Sequence, residues 1–312
     1  MKIPTFDDVV AAHNRIKDYI KNTPLISDKK LNEELGAEVF FKMDNQQRTG
    51  SFKARGAFNA VLAYREKHGK FPEKIVVQSS GNHAQAIAYV CKKFGIKALI
   101  YMIAKASPFK IEAARSLGAE VVLLEKRSEV NAKAEEKQKE GYFFIHPSAD
   151  ADVIAGQGTS AMEALQEIGE VDAIFAPCGG GGLVSGSFLA AKKLSPQAKV
   201  FACEPANAND VALSLRDKKI FHFEDTPNTI ADGARTLATS EICFHFLKQM
   251  EGVLEISEEE IIYWRQKLEK TLQQKIEPTS ALAAAGAMQY LKNHKNSTKQ
   301  KLLVIISGGN VD

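Results

Sequence analysis

Lys53 lies in the run Ser51-Phe52-Lys53-Ala54-Arg55-Gly56. A lysine amine condenses with an aldehyde to give a Schiff base, and desolvation lowers its pKa so that more of it is the reactive neutral amine. By itself, a lysine near a helix start is ordinarily a solvated surface charge. Three other segments, each following a short apolar run, change that reading. The first is Gly179-Gly180-Gly181-Gly182, between the run ending at Pro177 and a helix-like segment from Leu183. Glycines there let backbone N–H groups turn toward a phosphate without Cβ obstruction, and a helix N-terminus adds a favourable dipole. A tight β–α turn is the plainer alternative, but four glycines exceed what a turn needs. No Gly-Lys-Ser/Thr follows, so this is not a Walker loop, and Gly181 and Gly186 do not complete Gly-x-Gly-x-x-Gly from Gly179.

The second segment is Ser79-Ser80-Gly81-Asn82-His83, at another strand-to-helix junction. A side-chain amide there can donate to a phenolate oxygen, and a serine hydroxyl can approach a substrate. Helix capping by Ser80 or Asn82 is the competing structural reading, and His83 alone reads as a structural histidine. The third is Ser307-Gly308-Gly309-Asn310, where a hydroxyl could hydrogen-bond a ring nitrogen without fully protonating it; a turn facing solvent fits equally well. Amine, oxyanion cradle and polar ring contacts together describe a site for pyridoxal phosphate. Separately, Glu204 and Asp210 flank Pro205-Ala206-Asn207-Ala208-Asn209. Two carboxylates with free carbonyls between them can supply hard oxygen ligands to Mg²⁺ or Ca²⁺, and otherwise form a surface loop.

The elements that must position these groups alternate along the chain. Short, continuous apolar runs predict strands at Ile75–Ser79, Lys97–Ile103, Glu120–Leu124, Tyr142–His146, Asp172–Pro177, Lys199–Cys203 and Lys301–Ser307, as expected when helices cover both faces of a parallel sheet. Helix-period segments lie between them. His83–Phe94 closes on Gly95, Ser107-Pro108 reads as a cap and first-turn proline for a helix ended by Gly118, and Ser257 with Glu260 forms a capping box. The Lys- and Glu-rich stretch 125–140 reads as the wet face of a helix. The pattern predicts an open α/β fold with two parallel-type sheets flanked by helices. The four strands between residues 75 and 146 form a compact inner unit: a small domain, 66–147, inserted in a large one, 1–65 and 148–312.

The bulk properties exclude several other classes. With 312 residues the chain has ample core. A net charge of +3 is too small to argue for nucleic acid. No apolar run approaches bilayer length and the N-terminus lacks an apolar leader. Cys91, Cys178, Cys203 and Cys243 form no CxxC pair and read as buried free thiols, which points to a reducing, cytoplasmic setting.

Taken jointly, SFKARG at 51–56, SSGNHAQ at 79–85, AGQGT at 155–159, GGGG at 179–182, ADG at 231–233, EPT at 277–279 and SGGNVD at 307–312 resemble the fold-type II pyridoxal-phosphate enzymes, whose fold is that of the tryptophan synthase β subunit, and within them the serine/threonine dehydratase and serine racemase group. The resemblance implies that Lys53 holds the cofactor and then acts as base at the substrate Cα, and that Phe52 packs beside the ring. It also implies that Asn82 bonds the phenolate oxygen, Gly179 through Gly182 hold the phosphate, and Ser307 faces the pyridine nitrogen. Ser79, Ser80, Gly81, Asn82 and His83 would receive the substrate carboxylate. Glu204, the Ala208 carbonyl and Asp210 would bind a structural divalent ion. The implied reaction is loss of water from L-serine or L-threonine to give a 2-oxo acid and ammonia, by a homodimer. Ser80 keeps racemisation open, since racemases of the group place a serine opposite the lysine. Ser148 and Ala151 depart from the aromatic and the proline usual in threonine dehydratases, which leaves substrate size open. Feedback control through a C-terminal regulatory domain, as in biosynthetic threonine dehydratases, is not expected. A dehydratase for threo-3-hydroxyaspartate is the alternative that requires an extra cation near the substrate side chain, and a non-catalytic phosphate-ligand-binding protein is the alternative of another class.

Overall fold

The computed structural model describes residues 2–79, 81–294 and 299–311. Its strands are β1 Leu25–Ile26, β2 Glu38–Met43, β3 Lys74–Gln78, β4 Lys97–Ile103, β5 Glu120–Leu124, β6 Phe143–Phe144, β7 Ala173–Pro177, β8 Lys199–Pro205, β9 Gly252–Ile256 and β10 Lys301–Ile306. They form two sheets, ordered β1-β2-β10-β7-β8-β9 and β5-β4-β3-β6. Every pairing is parallel except β1 with β2, so the expected α/β architecture of two parallel-type sheets holds, with one antiparallel edge. Central strands are apolar on both faces because helices cover both sides: β7 is buried along its whole length.

β3 through β6, the run from residue 74 to 144, form the smaller sheet as one continuous stretch of chain, while the larger sheet draws on segments from both sides of it. Three strands, β1, β2 and β9, go beyond the sequence reading. β6 is shorter than expected, two residues rather than five. Of the expected caps, the box at Ser257 and Glu260 forms and Gly95 takes the left-handed conformation at φ 69°. Ser107 occupies the cap position ahead of Pro108, but its hydroxyl accepts no bond from the helix. The helix Asn82–Phe94 is capped by Gly81, not by Asn82. All four cysteines are buried free thiols. Among the described residues no helix is long and apolar enough to cross a membrane.

Because the strands within each sheet run parallel, their C-terminal ends gather at one edge, where open α/β sheets hold ligands. The larger sheet contributes the segments after β2, β10 and β7, and the smaller sheet those after β3, β5 and β6. Contacts between the two sets join the sheets. Lys53 donates to Pro147 O, Asn82 to Glu277, and Asn310 to Asn82. Lys110, on the helix Pro108–Ser116, pairs with Asp232 and lies 3.8 Å from Glu277.

Candidate active site

Lys53 opens the helix Lys53–His68 and is held by its neighbours in sequence. Ser51 bridges Gly308, and Phe52 N donates to Ser307 O at 2.9 Å, so the loop before Lys53 is stitched to the end of β10. Lys53 as a residue is half-buried, with the amine at the enclosed end. Nζ donates to Pro147 O at 2.8 Å and lies 4.9 Å from the Phe52 ring centroid. Burial pushes the ammonium down to about 8, because desolvation penalises the charged form.

Two residues along the same helix, Arg55 enters a buried cluster of four charges. The Arg55 guanidinium bonds both carboxyl oxygens of Asp44 and of Glu163, and also Thr23 and Thr159. Lys42 Nζ is 2.8 Å from Glu163 and donates to Thr23 O. Lys42, Arg55 and Asp44 are fully buried. Burial alone would raise the Asp44 carboxyl, yet the Arg55 and Lys42 charges hold it below the usual carboxylate range. The cluster fixes the helix that begins at Lys53.

Gly179, Gly180 and Gly181 are packed too closely for any side chain, and a Cβ on Gly182 would lie 3.1 Å from Ser148 Cα. A Cβ on Gly180 would collide with Ser148 Oγ, and one on Gly179 would stand 2.8 Å from Gly233 O. Gly181 has φ +90° and faces Cys243, a conformation that L side chains avoid. The helix Gly182–Leu194 that follows has no side-chain cap, so its first-turn amides are left for an anion. Cys243 closes on this loop: its thiol donates to Ser148 O.

Asn82 Nδ2 donates to Glu277 Oε2 at 2.9 Å, and Asn82 Oδ1 accepts from Asn310 at 2.8 Å. Burial pushes the Glu277 carboxyl up to about 7, with Lys110 pulling the other way. His83 is buried with Nε2 3.0 Å from Ile145 O, which makes Nε2 the protonated nitrogen. Burial, then the Lys53 charge, pushes it down to about 3. His146 Nδ1 accepts from the amides of Ser148 and Ala149 and is pushed down to about 4, chiefly by burial. Both histidines are therefore neutral at physiological pH. Ser79 Oγ accepts from Gly81 N; Ser80 lies outside the described residues. Ser307 Oγ is buried 3.0 Å from Ser280 Oγ, which donates to Gly308 O and accepts from Gly308 N.

Glu204 stands in β8 rather than in a loop, and its carboxylate accepts from Val211 N and Ala212 N at 3.2 and 2.7 Å. Asp210 Oδ1 accepts from Thr236, while Oδ2 is buried without a partner. Both carboxylates are fully buried, and burial pushes them up to about 9 and about 7. Among the described residues no three His, Cys, Asp or Glu side chains are placed to hold a metal. A cation here would have to take a backbone oxygen, as the expected set with Ala208 requires.

Sequence reasoning passed over Pro147, Cys243, Lys110 and Asp232 as site residues. Only the ADG motif, containing Asp232, carried a signal. The others matter through contacts across the chain that no local pattern encodes.

An uncapped helix start behind four crowded glycines, a desolvated lysine and a buried hydroxyl pair form a cradle that fits pyridoxal phosphate. The chain matches the family model "Pyridoxal-phosphate dependent enzyme" over residues 16–308 and belongs to that family. It is 42% identical to the L-threo-3-hydroxyaspartate ammonia-lyase of Saccharomyces cerevisiae, covering 100% of this chain and 95% of that protein. It is 40% identical to the serine racemase of Schizosaccharomyces pombe, covering 99% and 95%. Among solved structures, the serine racemase of Dictyostelium discoideum matches with a TM-score of 0.90 and 37% identity over 100% of both chains, and a threonine deaminase matches with a TM-score of 0.91 and 39% identity over 99% of both.

Proposed function

We propose that this enzyme eliminates water from a small β-hydroxy amino acid to give a 2-oxo acid and ammonia, with L-serine, L-threonine and L-threo-3-hydroxyaspartate as candidate substrates. The observation that carries the reading is the Lys53 amine, desolvated and hung on Pro147 O in a chain of this family. Pyridoxal phosphate, when bound, supplies an aldehyde that captures amino groups and a conjugated ring that takes up the electron pair left at Cα.

The chain's own residues do the rest. Lys53 Nζ removes the Cα proton, and a pKa of about 8 keeps a useful fraction of it neutral near pH 7 to 8. Pro147 O binds one N–H and so orients the lone pair. His83 and His146, held neutral, add no positive charge beside it. Gly179, Gly180, Gly181 and Gly182 would receive the phosphate, and Phe52 would flank the ring. Asn82, fixed by Glu277 and Asn310, would face the ring oxygen, and Ser307, fixed by Ser280, the ring nitrogen. Ser79 through His83 would take the substrate carboxylate at the start of a helix. The unit 66–147 would act as a small domain closing on 1–65 and 148–312 to exclude water.

The serine racemase relative supports a second reading, racemisation with elimination as a side reaction, in which Ser80 exchanges the second Cα proton. One experiment separates the readings: incubate the pyridoxal-phosphate-loaded protein with L-serine, D-serine, L-threonine and threo-3-hydroxyaspartate, then quantify oxo acid and enantiomers. Elimination predicts oxo acid in excess of enantiomer. Formation of neither product from any of the four sinks both.

Buried free thiols support a cytoplasmic setting, and family resemblance supports a homodimer and a Mg²⁺ or Ca²⁺ ion on Glu204, the Ala208 carbonyl and Asp210. Two buried carboxylates with one orphaned oxygen are stabilised by a cation. Chelator-treated protein should therefore gain stability on adding Mg²⁺ or Ca²⁺, by about 2.7 kcal/mol at a hundredfold excess over Kd, seen as a rise in melting temperature. An unresponsive melting temperature removes the ion from the proposal.

A further inference from the structure

Lys110 occupies an unfavourable place in its own helix. It stands in the first turn of Pro108–Ser116, where the positive end of the helix dipole opposes a cation. Its side chain is only 7% exposed. Ser107 gives this helix end no side-chain cap. A desolvated ammonium is tolerated where carboxylates surround it, and both of its carboxylates come from segments packed with the larger sheet. Lys110 donates to Asp232, and its Nζ lies 3.8 Å from Glu277 Oε1. The position is explained by what lies across from it, not by the helix that carries it.

Each carboxylate leads on to a group that the cofactor would touch. Asp232 begins the short turn Asp232–Ala234. The next residue, Gly233, presses its carbonyl on the glycine cradle, 2.8 Å from where a Cβ on Gly179 would stand. Gly233 N is fixed by a bond to Thr279 Oγ1 at 3.0 Å. Glu277 precedes the helix Pro278–Asn293, and its Oε2 accepts from Asn82 Nδ2 at 2.9 Å. That nitrogen carries two hydrogens; with one on Glu277, the other is left for the ring oxygen. Gly308, next to Ser307, packs so closely on Glu277 that a Cβ there would collide with Oε2. One ammonium therefore ties the phosphate end and the ring end of the cradle to a helix of the smaller sheet. The Asp232 charge opposes ionisation of Glu277 and the Lys110 charge favours it. Without Lys110 the two carboxylates repel, and Asn82 loses its fixed acceptor.

We infer that Lys110 is a positioning residue for the reaction: by clamping Asp232 and Glu277 it holds Asn82 and the Gly233 rim in the arrangement that bound pyridoxal phosphate requires. It acts through those groups and not on the reacting atoms. The inference takes its reaction from the elimination reading, but its claim on cofactor geometry is read without turnover.

The test compares the pyridoxal-phosphate-loaded wild type with Lys110→Met, Lys110→Arg and Asp232→Asn. Lys133→Met, at an exposed lysine on the helix Arg127–Lys139, is the control. Three properties are measured: the visible circular dichroism of the bound cofactor, its half-time of release to a hydroxylamine trap, and kcat with KM for the candidate substrate turned over fastest. Lys110→Met should lose most of the dichroism, release the cofactor about tenfold faster, and lose about 10- to 100-fold in kcat with KM within about threefold. Lys110→Arg keeps the charge and should recover most of each. Asp232→Asn, changed at the more exposed end of the pair, should move all three the same way by less. Lys133→Met should match the wild type. A lower melting temperature in Lys110→Met with dichroism, release and kcat unchanged would leave only a structural ion pair and overturn the inference. A loss confined to KM would overturn it too, by placing the ammonium on the substrate. Where Lys110→Met does not fold, an unchanged Asp232→Asn overturns it. If no amino acid is turned over while dichroism and release still depend on Lys110, the inference stands and the elimination reading falls.

Discussion

Lys53→Ala is expected to purify without the yellow colour of the loaded enzyme and to turn over none of the candidate substrates, with kcat reduced about 10³-fold or more. The effect is large because one nitrogen serves twice, holding the cofactor and removing the Cα proton, and because no neighbour can replace it. His83 and His146 are the nearest bases by type, but His83 spends its proton on Ile145 O and His146 accepts two amides. Absorbance and activity measured on the same preparation check the claim. The fold should survive: Lys53 makes a single hydrogen bond, to Pro147 O, and a smaller side chain relieves the burial that depresses its pKa. A folded variant that keeps its colour and its full rate would remove Lys53 from the mechanism.

The second large effect is on stability. Asp44→Ala should cost about 3–5 kcal/mol, read as a lowered urea midpoint. The buried cluster balances Lys42 and Arg55 against Asp44 and Glu163; deleting Asp44 leaves an uncompensated positive charge in the core. Adding Arg55→Met to Asp44→Ala restores neutrality, so the double variant should be more stable than the single one. The pH dependence follows. Asp44 has a depressed pKa in the folded state, so its contribution is fully present above the unfolded carboxylate pKa and is lost as pH falls through the folded value. Asp44→Ala should accordingly flatten part of the acid limb of the stability curve. A cost under about 1 kcal/mol would show that the cluster rearranges around the loss.

The strands that were easiest to read from the sequence are those buried on both faces, such as β4 and β7, because an unbroken apolar run is a local signal. β2 was harder. Its sequence, Glu-Val-Phe-Phe-Lys-Met, is interrupted by Lys42, whose burial depends on Glu163, more than a hundred residues away. β1, two residues long, carries no periodicity at all. The same division runs through the candidate site. Lys53, the glycines and Asn82 announce themselves by residue type at strand-to-helix junctions. Glu277 and Lys110 acquire their meaning from contacts between the two sheets.

The position of β10 has a consequence for how the enzyme is made. Residues 301–306 pair with both β2 and β7 in the middle of the larger sheet, and Gly308 bridges the segment just ahead of Lys53. During synthesis everything up to residue 300 leaves the ribosome first, with β2 and β7 presenting open edges to each other across a gap that only this strand fills. A chain cut before β10 is therefore expected to lack both the middle of the larger sheet and the bridge beside Lys53, and so to take up no vitamin B6.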